Sequence, residues 1–295
     1  MNLLRRVCPD VPFLAMTATA TPEVRTDIKK SLKFRENSDE IVTSFDRTNL
    51  YLSVHKRSKD NIIGDLRSLG CIHTTRNRLN KTALDFDGPT IIYCISRKAT
   101  EEVQAKLAQE GFQVGNYHAG LPLKTREQVH KDFIHDKLNC VVATIAFGMG
   151  VDKPNVRNVI HYGTSKNPES YYQEIGRAGR DGLPSKCFTL WASGDFNTHR
   201  FFIQKVANVA HKTKQTNLLL QMEMYLTTTS CRRKQLLTHF DKNAQSLLYG
   251  TEKCCDNCRG KPIGNYEFTQ SNIGARKADF AEFANVVLGA IEDNE

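Results

Sequence analysis

From about Phe45 to Ala192 the chain repeats one pattern: a short, nearly unbroken apolar run, a glycine-rich or polar break, then apolar residues at helical spacing. Thr90 to Cys94 (TIIYC), Gln113 to His118, Cys140 to Ile145 (CVVATI), Val156 to Tyr162 (VRNVIHY) and Cys187 to Trp191 read as strands. Between them, Arg97 to Gln109 carries Ala99, Val103 and Leu107 on one helical face behind a Ser96 N-cap, and Pro122 to His135 and Pro168 to Ala178 also read as helices. Apolar strands without polar alternation are covered on both faces, and strands separated by helices run parallel. The pattern predicts an α/β fold on a parallel sheet, with ligands at the carboxyl ends of the strands.

The flanks depart from this pattern. In residues 1–44, Phe13 to Met16 reads as one strand and Thr21-Pro22-Glu23 opens a helix, with Thr as N-cap, Pro in the first turn and Glu at the positive end of the dipole. One strand and one helix do not make a domain, so this stretch reads as the remnant of a larger one. Gly70 to Phe86, polar and basic with Arg76, Arg78 and Lys81, reads as a loop insertion. From about Lys205 the pattern turns helical, and Phe280 to Ile291 is a last amphipathic stretch.

Composition narrows the function classes. The chain has 295 residues, 40% of them hydrophobic, enough for a sizeable core. No apolar run approaches the roughly 20 residues of a membrane-spanning helix, and Arg5, Arg6 and Asp10 interrupt any leader-like stretch, so a soluble intracellular protein with no membrane partner is expected. A formal net charge of +9 leans towards a polyanionic partner. Of nine cysteines, Cys8, Cys71, Cys94, Cys140 and Cys187 are scattered, whereas Cys231, Cys254, Cys255 and Cys258 share one C-terminal stretch, which reads as a metal site. A four-thiolate zinc site carries about −2 and would bring the working charge to about +7.

Candidate chemistry gathers in the loops after the strands. In QEIGRAGRDG (Gln173 to Gly182), Arg177 and Arg180 are three apart and share a face if the helix continues; Gly176, Ala178 and Gly179 remove bulk around them. Two forked guanidiniums beside bare backbone suit a phosphate, although the string also fits a solvated basic helix end with a glycine cap. VATIAFGMGVDK (Val142 to Lys153) ends a strand in a loop loosened by Gly148 and Gly150 and flanked by Thr144 and Asp152, as many α/β strands end. YCISRK (Tyr93 to Lys98) sets Ser96 and Arg97 at a helix N-terminus, a ready anion site, and NYHAGL (Asn116 to Leu121) sets His118 and Gly120 after another strand. Taken singly, Ser96 is a good N-cap and His118 an ordinary structural histidine. In the cysteine cluster, Cys255 and Cys258 form a C-x-x-C pair suited to a tetrahedral metal. Adjacent Cys254 and Cys255 can both bind only where the backbone bends, which leaves His239 as an alternative fourth ligand. Arg232 and Arg233 beside Cys231 fit either DNA phosphates or solvated helix charges.

Together these strings resemble the RecQ family of DNA helicases, most closely its Werner-type members. QEIGRAGRDG resembles motif VI, VATIAFGMGVDK motif V, YCISRK and NYHAGL motifs IV and IVa, AMTATAT (Ala15 to Thr21) motif III, and FDRTNLY (Phe45 to Tyr51) the connector between the two motor lobes, with Thr48 where proline is more usual. The resemblance implies a RecA-like second helicase lobe followed by a small helical zinc-binding module. It divides the chain into 1–44, the end of a first lobe; 45–204, the second lobe; 205–262, the zinc module; and 263–295, the start of a winged-helix domain.

The resemblance also implies an ATP-dependent 3′–5′ DNA helicase acting on single-stranded or forked DNA in the nucleus. Arg180 would be the arginine finger, Arg177 its partner at the same phosphates, and Gln173, Asp152 and Gly150 would couple nucleotide to DNA. Ser96, Arg97, His118, Thr144, Arg232 and Arg233 would contact DNA, and Cys231, Cys254, Cys255 and Cys258 would hold a structural Zn²⁺. No G-x-x-x-x-G-K-[ST] string occurs, and no DEAH-type carboxylates precede AMTATAT. ATP and Mg²⁺ are thus expected only with a first lobe supplied, and the chain alone is expected to be inactive. The competing expectation is a truncated module that binds DNA without hydrolysing anything.

Overall fold

The computed structural model describes residues 6–7, 11–58, 61–76, 82–148 and 150–259. Cys8, Arg78, Lys81 and everything after Arg259, including the expected Phe280 to Ile291 helix and the 263–295 segment, lie outside the described residues. Residues Met1–Lys261 form one compact unit.

Six parallel strands make the main sheet: β1 (Leu50–Lys56), β4 (Thr90–Cys94), β5 (Val114–Tyr117), β6 (Cys140–Ala143), β7 (Asn158–Tyr162) and β8 (Ser185–Trp191), in the order β1-β8-β7-β4-β6-β5. Alternate residues of the apolar runs enter two separate cores. Ile91, Tyr93, Val141, Ala143 and Val159 face one, while Ile92, Cys94, Cys140, Val142 and Ile160 face the other. This is why the runs are nearly continuous in apolar residues: both faces are covered.

Helices α2 (Ile62–Ser68) and α3 (Arg97–Gln109) cover the second core through Ile62, Leu66, Val103 and Leu107. Helices α4 (Leu123–Ile134) and α5 (Pro168–Ile175) cover the first, and so do α6 (Asp195–Gln204), α7 (Val209–Thr227) and α8 (Arg232–Phe240) through Phe196, Met222, Tyr225, Leu236 and Phe240. Cys254, Cys255 and Cys258 belong to the same core, so the C-terminal module and the sheet are packed as one body. The cysteine loop also covers the sheet edge: the Leu52 amide donates to the Cys254 carbonyl at 3.4 Å, and the Asp256 amide to the Leu52 carbonyl at 3.0 Å. An edge strand so paired no longer offers a free ladder.

Three expectations are corrected. Phe13 to Met16 forms no strand: Leu14 and Met16 are exposed, and the stretch belongs to neither sheet of the described residues. The helix after it does form as α1 (Pro22–Leu32), with Thr21 Oγ1 accepting from the Val24 amide at 3.4 Å. Gly70 to Phe86 is not a plain loop. It contains an antiparallel hairpin of β2 (Ile72–Arg76) and β3 (Thr82–Phe86), whose paired Ile72 and Phe86 are buried at its base. Finally, α5 stops at Ile175 rather than Ala178, because Gly176 caps it and Gly179 adopts φ of +54°.

Candidate functional site

Tyr93, Ala143 and Tyr117 lie side by side at the ends of β4, β6 and β5. The loops that follow therefore open on one edge of the sheet. Ser96 caps α3, its Oγ accepting from the Ala99 amide at 3.1 Å, and both Ser96 and Arg97 are exposed there. Thr144 is half-buried, its amide bound to the Tyr117 carbonyl at 3.1 Å. Gly150 and Asp152 are exposed on the same edge loop, and Gln173 is exposed on α5.

Because α5 ends early, Arg177 and Arg180 do not share a helical face. They sit on the turn after it, and both reach the 144–152 loop. Arg177 Nη1 donates to the Gly148 carbonyl at 2.5 Å, and Arg180 Nη1 donates to the Asp152 carboxylate at 2.8 Å and the Val151 carbonyl at 3.1 Å. A side chain at Gly148 would occupy the place of the Arg177 guanidinium. The small residues of the turn do not open it to an outside surface either: a Cβ on Gly179 would strike the Asn49 amide, the Ser185 hydroxyl and the Leu183 carbonyl.

Three proposed DNA contacts are buried instead. His118 is buried, and its Nδ1 accepts from the Gly120 amide at 3.2 Å, which closes the turn after β5. Arg232 and Arg233 are only 5% and 3% exposed. Arg232 Nε donates to Asp256 at 2.5 Å; Arg233 donates to Asp46 at 2.6 Å, to the Arg47 carbonyl at 2.9 Å and to the Leu50 carbonyl. Two buried cations need counter-charges, and these carboxylates supply them. Neither guanidinium is presented to a phosphate.

A cleft of about 350 Å³ opens beside this edge, lined by Ile95, Thr144, Gly163, Lys166, His199 and Phe202 among others. Beneath it, Glu174 accepts from Ser165 Oγ at 2.6 Å and pairs with His161 Nε2 at 2.8 Å. This network was not anticipated, although an acid inside a helix that reads as half apolar was a signal of it. Arg47 and Asn49 were missed too. Arg47 donates to the carbonyls of Ala178 and Gly179 at 3.0 and 2.8 Å, and Asn49 to that of Gly179 at 2.8 Å.

The four sulfurs of Cys231, Cys254, Cys255 and Cys258 lie within 4.8 Å of one another. Thiolates about 2.3 Å from a tetrahedral zinc stand about 3.8 Å apart, so the cluster fits that ion. The bend needed for adjacent cysteines is present: Cys254 ends a turn and Cys255 bridges to Leu52. His239 is elsewhere, paired with Glu169 at 3.0 Å. Hydrogen bonds from Cys231 and Cys254 hold Cys255 well below the usual thiol range, so the cluster already favours a thiolate. By contrast, burial pushes Cys71 and Cys187 up to about 12, which leaves those thiols neutral packing groups.

A parallel sheet with two arginines on its edge loop, joined to a four-cysteine module, defines the second RecA-like lobe of a helicase with a zinc-binding extension. Residues 75–182 match the helicase conserved C-terminal domain, and residues 193–259 match the RecQ zinc-binding region. The chain is 43% identical over 296 residues to the bifunctional 3'-5' exonuclease/ATP-dependent helicase WRN of Mus musculus, covering 99% of this chain and 20% of that protein. It is 46% identical over 268 residues to the ATP-dependent helicase wrn-1 of Caenorhabditis elegans (90% and 24%), and 36% identical over 295 residues to the ATP-dependent helicase SGS1 of Saccharomyces cerevisiae (99% and 19%). The chain belongs to the RecQ family of helicases, and it spans a fifth to a quarter of the length of these relatives.

Proposed function

We propose that this chain is the second motor lobe and zinc module of an ATP-dependent 3′–5′ DNA helicase that tracks on single-stranded or forked DNA in the nucleus. The observation that carries the reading is the convergence of Arg177 and Arg180 on the 144–152 loop at the carboxyl edge of the sheet. Arg180 is the finger for the γ-phosphate of an ATP held, with Mg²⁺, by a first lobe. Its present partner suits that task. The Arg180 side chain is 37% exposed and Asp152 86%, so their ion pair contributes at most about 1 kcal/mol and exchanges readily for a phosphate.

Arg177 braces the loop, and Gln173, Asp152 and Gly150 couple nucleotide to strand. Ser96, Arg97 and Thr144 contact the DNA backbone. Cys231, Cys254, Cys255 and Cys258 hold one structural zinc, with every position taken by protein. The test is Arg180→Ala in a protein that includes the ATP-binding lobe. DNA-stimulated turnover should fall by about 10³-fold or more with DNA affinity retained. Undiminished turnover excludes the finger assignment. DNA binding with no turnover in the wild type as well would mark a non-catalytic binding module.

A further inference from the structure

The turn that carries the arginine pair is held from behind, by a connector residue to which no role was given. After Ile175 the chain leaves the helix, so the carbonyls of Gly176, Ala178 and Gly179 lose their helical partners. The Arg47 guanidinium takes all three, at 3.4, 3.0 and 2.8 Å, from a position 129 to 132 residues earlier in sequence. A planar fork presents its five donors in a fixed geometry spread over three nitrogens, whereas an ammonium's three donors all leave one nitrogen and do not reproduce that span.

Arg47 is itself fixed by the zinc module. Its carbonyl accepts from Arg233, and the neighbouring Asp46 carboxylate takes the same guanidinium. Arg233 lies on the first turn of α8, the helix that Cys231 caps. Phe45, the next residue back, stacks on Phe240 at the other end of α8 with ring centroids 5.1 Å apart. The connector is therefore clamped at three successive residues by one helix, whose start is tied to the cysteine cluster.

We propose that Arg47 is a positioning residue for the Arg177–Arg180 turn, and that the cysteine cluster sets its grip through Arg233. The assignment rests on the nucleotide role given to those arginines above, but the clamp can be measured without ATP. In Arg47→Ala, amide hydrogen exchange across residues 176–182 should be at least about tenfold faster, the scale expected when hydrogen bonds to a charged donor are lost. Exchange in β4 and β6 should be unchanged. Arg47→Lys, which keeps the charge and loses the fork, should loosen the same turn by a smaller factor, and it serves if the alanine variant does not fold.

Arg233→Lys, which weakens the tie between α8 and the connector and leaves the cysteines in place, should loosen the turn in an otherwise wild-type chain and add nothing further in Arg47→Ala. Wild-type exchange in the turn of both Arg47 variants overturns the clamp. Equal loosening by Arg233→Lys with and without Arg47 overturns the link through Arg233 to the helix that Cys231 caps. In a protein with both lobes, Arg47→Ala should lower kcat by about 10²-fold with the KM for ATP little changed, and Arg47→Ala/Arg180→Ala should be no slower than Arg180→Ala alone. Additive losses would overturn the claim that Arg47 acts through Arg180. If Arg180→Ala keeps its turnover, the finger reading fails, and the exchange results still decide the clamp.

Discussion

Two arginine pairs in this chain read alike in sequence and behave oppositely in the fold. Arg177 and Arg180 sit among glycines at the end of α5, and Arg232 and Arg233 open α8 beside a cysteine. Both pairs looked suited to phosphates. The first lies on a turn at the carboxyl edge of the sheet, and its outer member is held by one exposed carboxylate. The second is buried, and each member has its own acid, Asp256 and Asp46. The difference lies in those partners. Asp256 stands between two cysteines of the cluster and Asp46 in the connector, so neither is near α8 in sequence. An arginine's role follows from where its counter-charge resides: in solvent it is free to meet a ligand, and in the core it is a brace.

The strongest way to break this comparison is to remove what anchors the second pair. Chelation of zinc, or Cys255→Ser, should cost on the order of 10 kcal/mol of folding free energy, enough to unfold the module. Because the cysteines belong to the same core as β4 to β7, thermal unfolding followed by circular dichroism should show one transition moving to lower temperature. A separate early transition, with the sheet melting as before, would mean that the module is an independent body. Arg232 and Arg233 would then be local to it.

A single substitution comes next. Arg233→Ala should destabilise the chain by about 3–5 kcal/mol in chemical denaturation, since it leaves Asp46 buried without a counter-charge. Arg180→Ala should stay within about 0.5 kcal/mol, as a surface change should. Replacing both charges, Arg233→Met with Asp46→Leu, should recover most of the loss. Equal effects of Arg233→Ala and Arg180→Ala would erase the distinction between brace and ligand group.

How much of this was legible depended on whether the deciding partner was local. TIIYC and CVVATI announced the sheet because burial on both faces removes the polar alternation of a half-exposed strand. Thr21, Ser96 and Cys231 announced helix starts because a cap is read from its next three residues. Phe13 to Met16 has strand composition but joins no sheet of the described residues, and composition does not report neighbours. The 72–86 hairpin was hidden by its polar and basic residues, although Ile72 and Phe86 bracket it. The turn after Ile175 was read as helix because arginine spacing suggested it, against the evidence of three small residues that end a helix readily. Ser96, Arg97 and Thr144 lie at the carboxyl edge of the sheet, where the strand-end rule puts them, while the depth of His118, Arg232 and Arg233 depended on residues up to 187 positions away.

The smallest effect expected concerns the other contact between α8 and α5. His239 Nε2 faces Glu169 Oε1 at 3.0 Å, joining the end of the zinc helix to the first turn of the helix that leads to Arg177. Burial alone would raise the Glu169 carboxyl. The close contact with His239, the helix N-terminal amide and the charges of His239 and Lys214 outweigh it and hold the group below the usual carboxylate range. A carboxylate depressed in the folded state adds stability that is present above its unfolded value of 4.5 and is lost as pH falls through the lower folded value. Glu169→Gln should therefore leave neutral-pH stability within about 1 kcal/mol of wild type and should flatten the decline between pH 5 and the acid transition, as urea midpoints across that range would show. An unchanged acid limb would mean that Glu169 gains nothing from His239, and that α8 holds the connector and α5 through Arg233 and Phe240 alone.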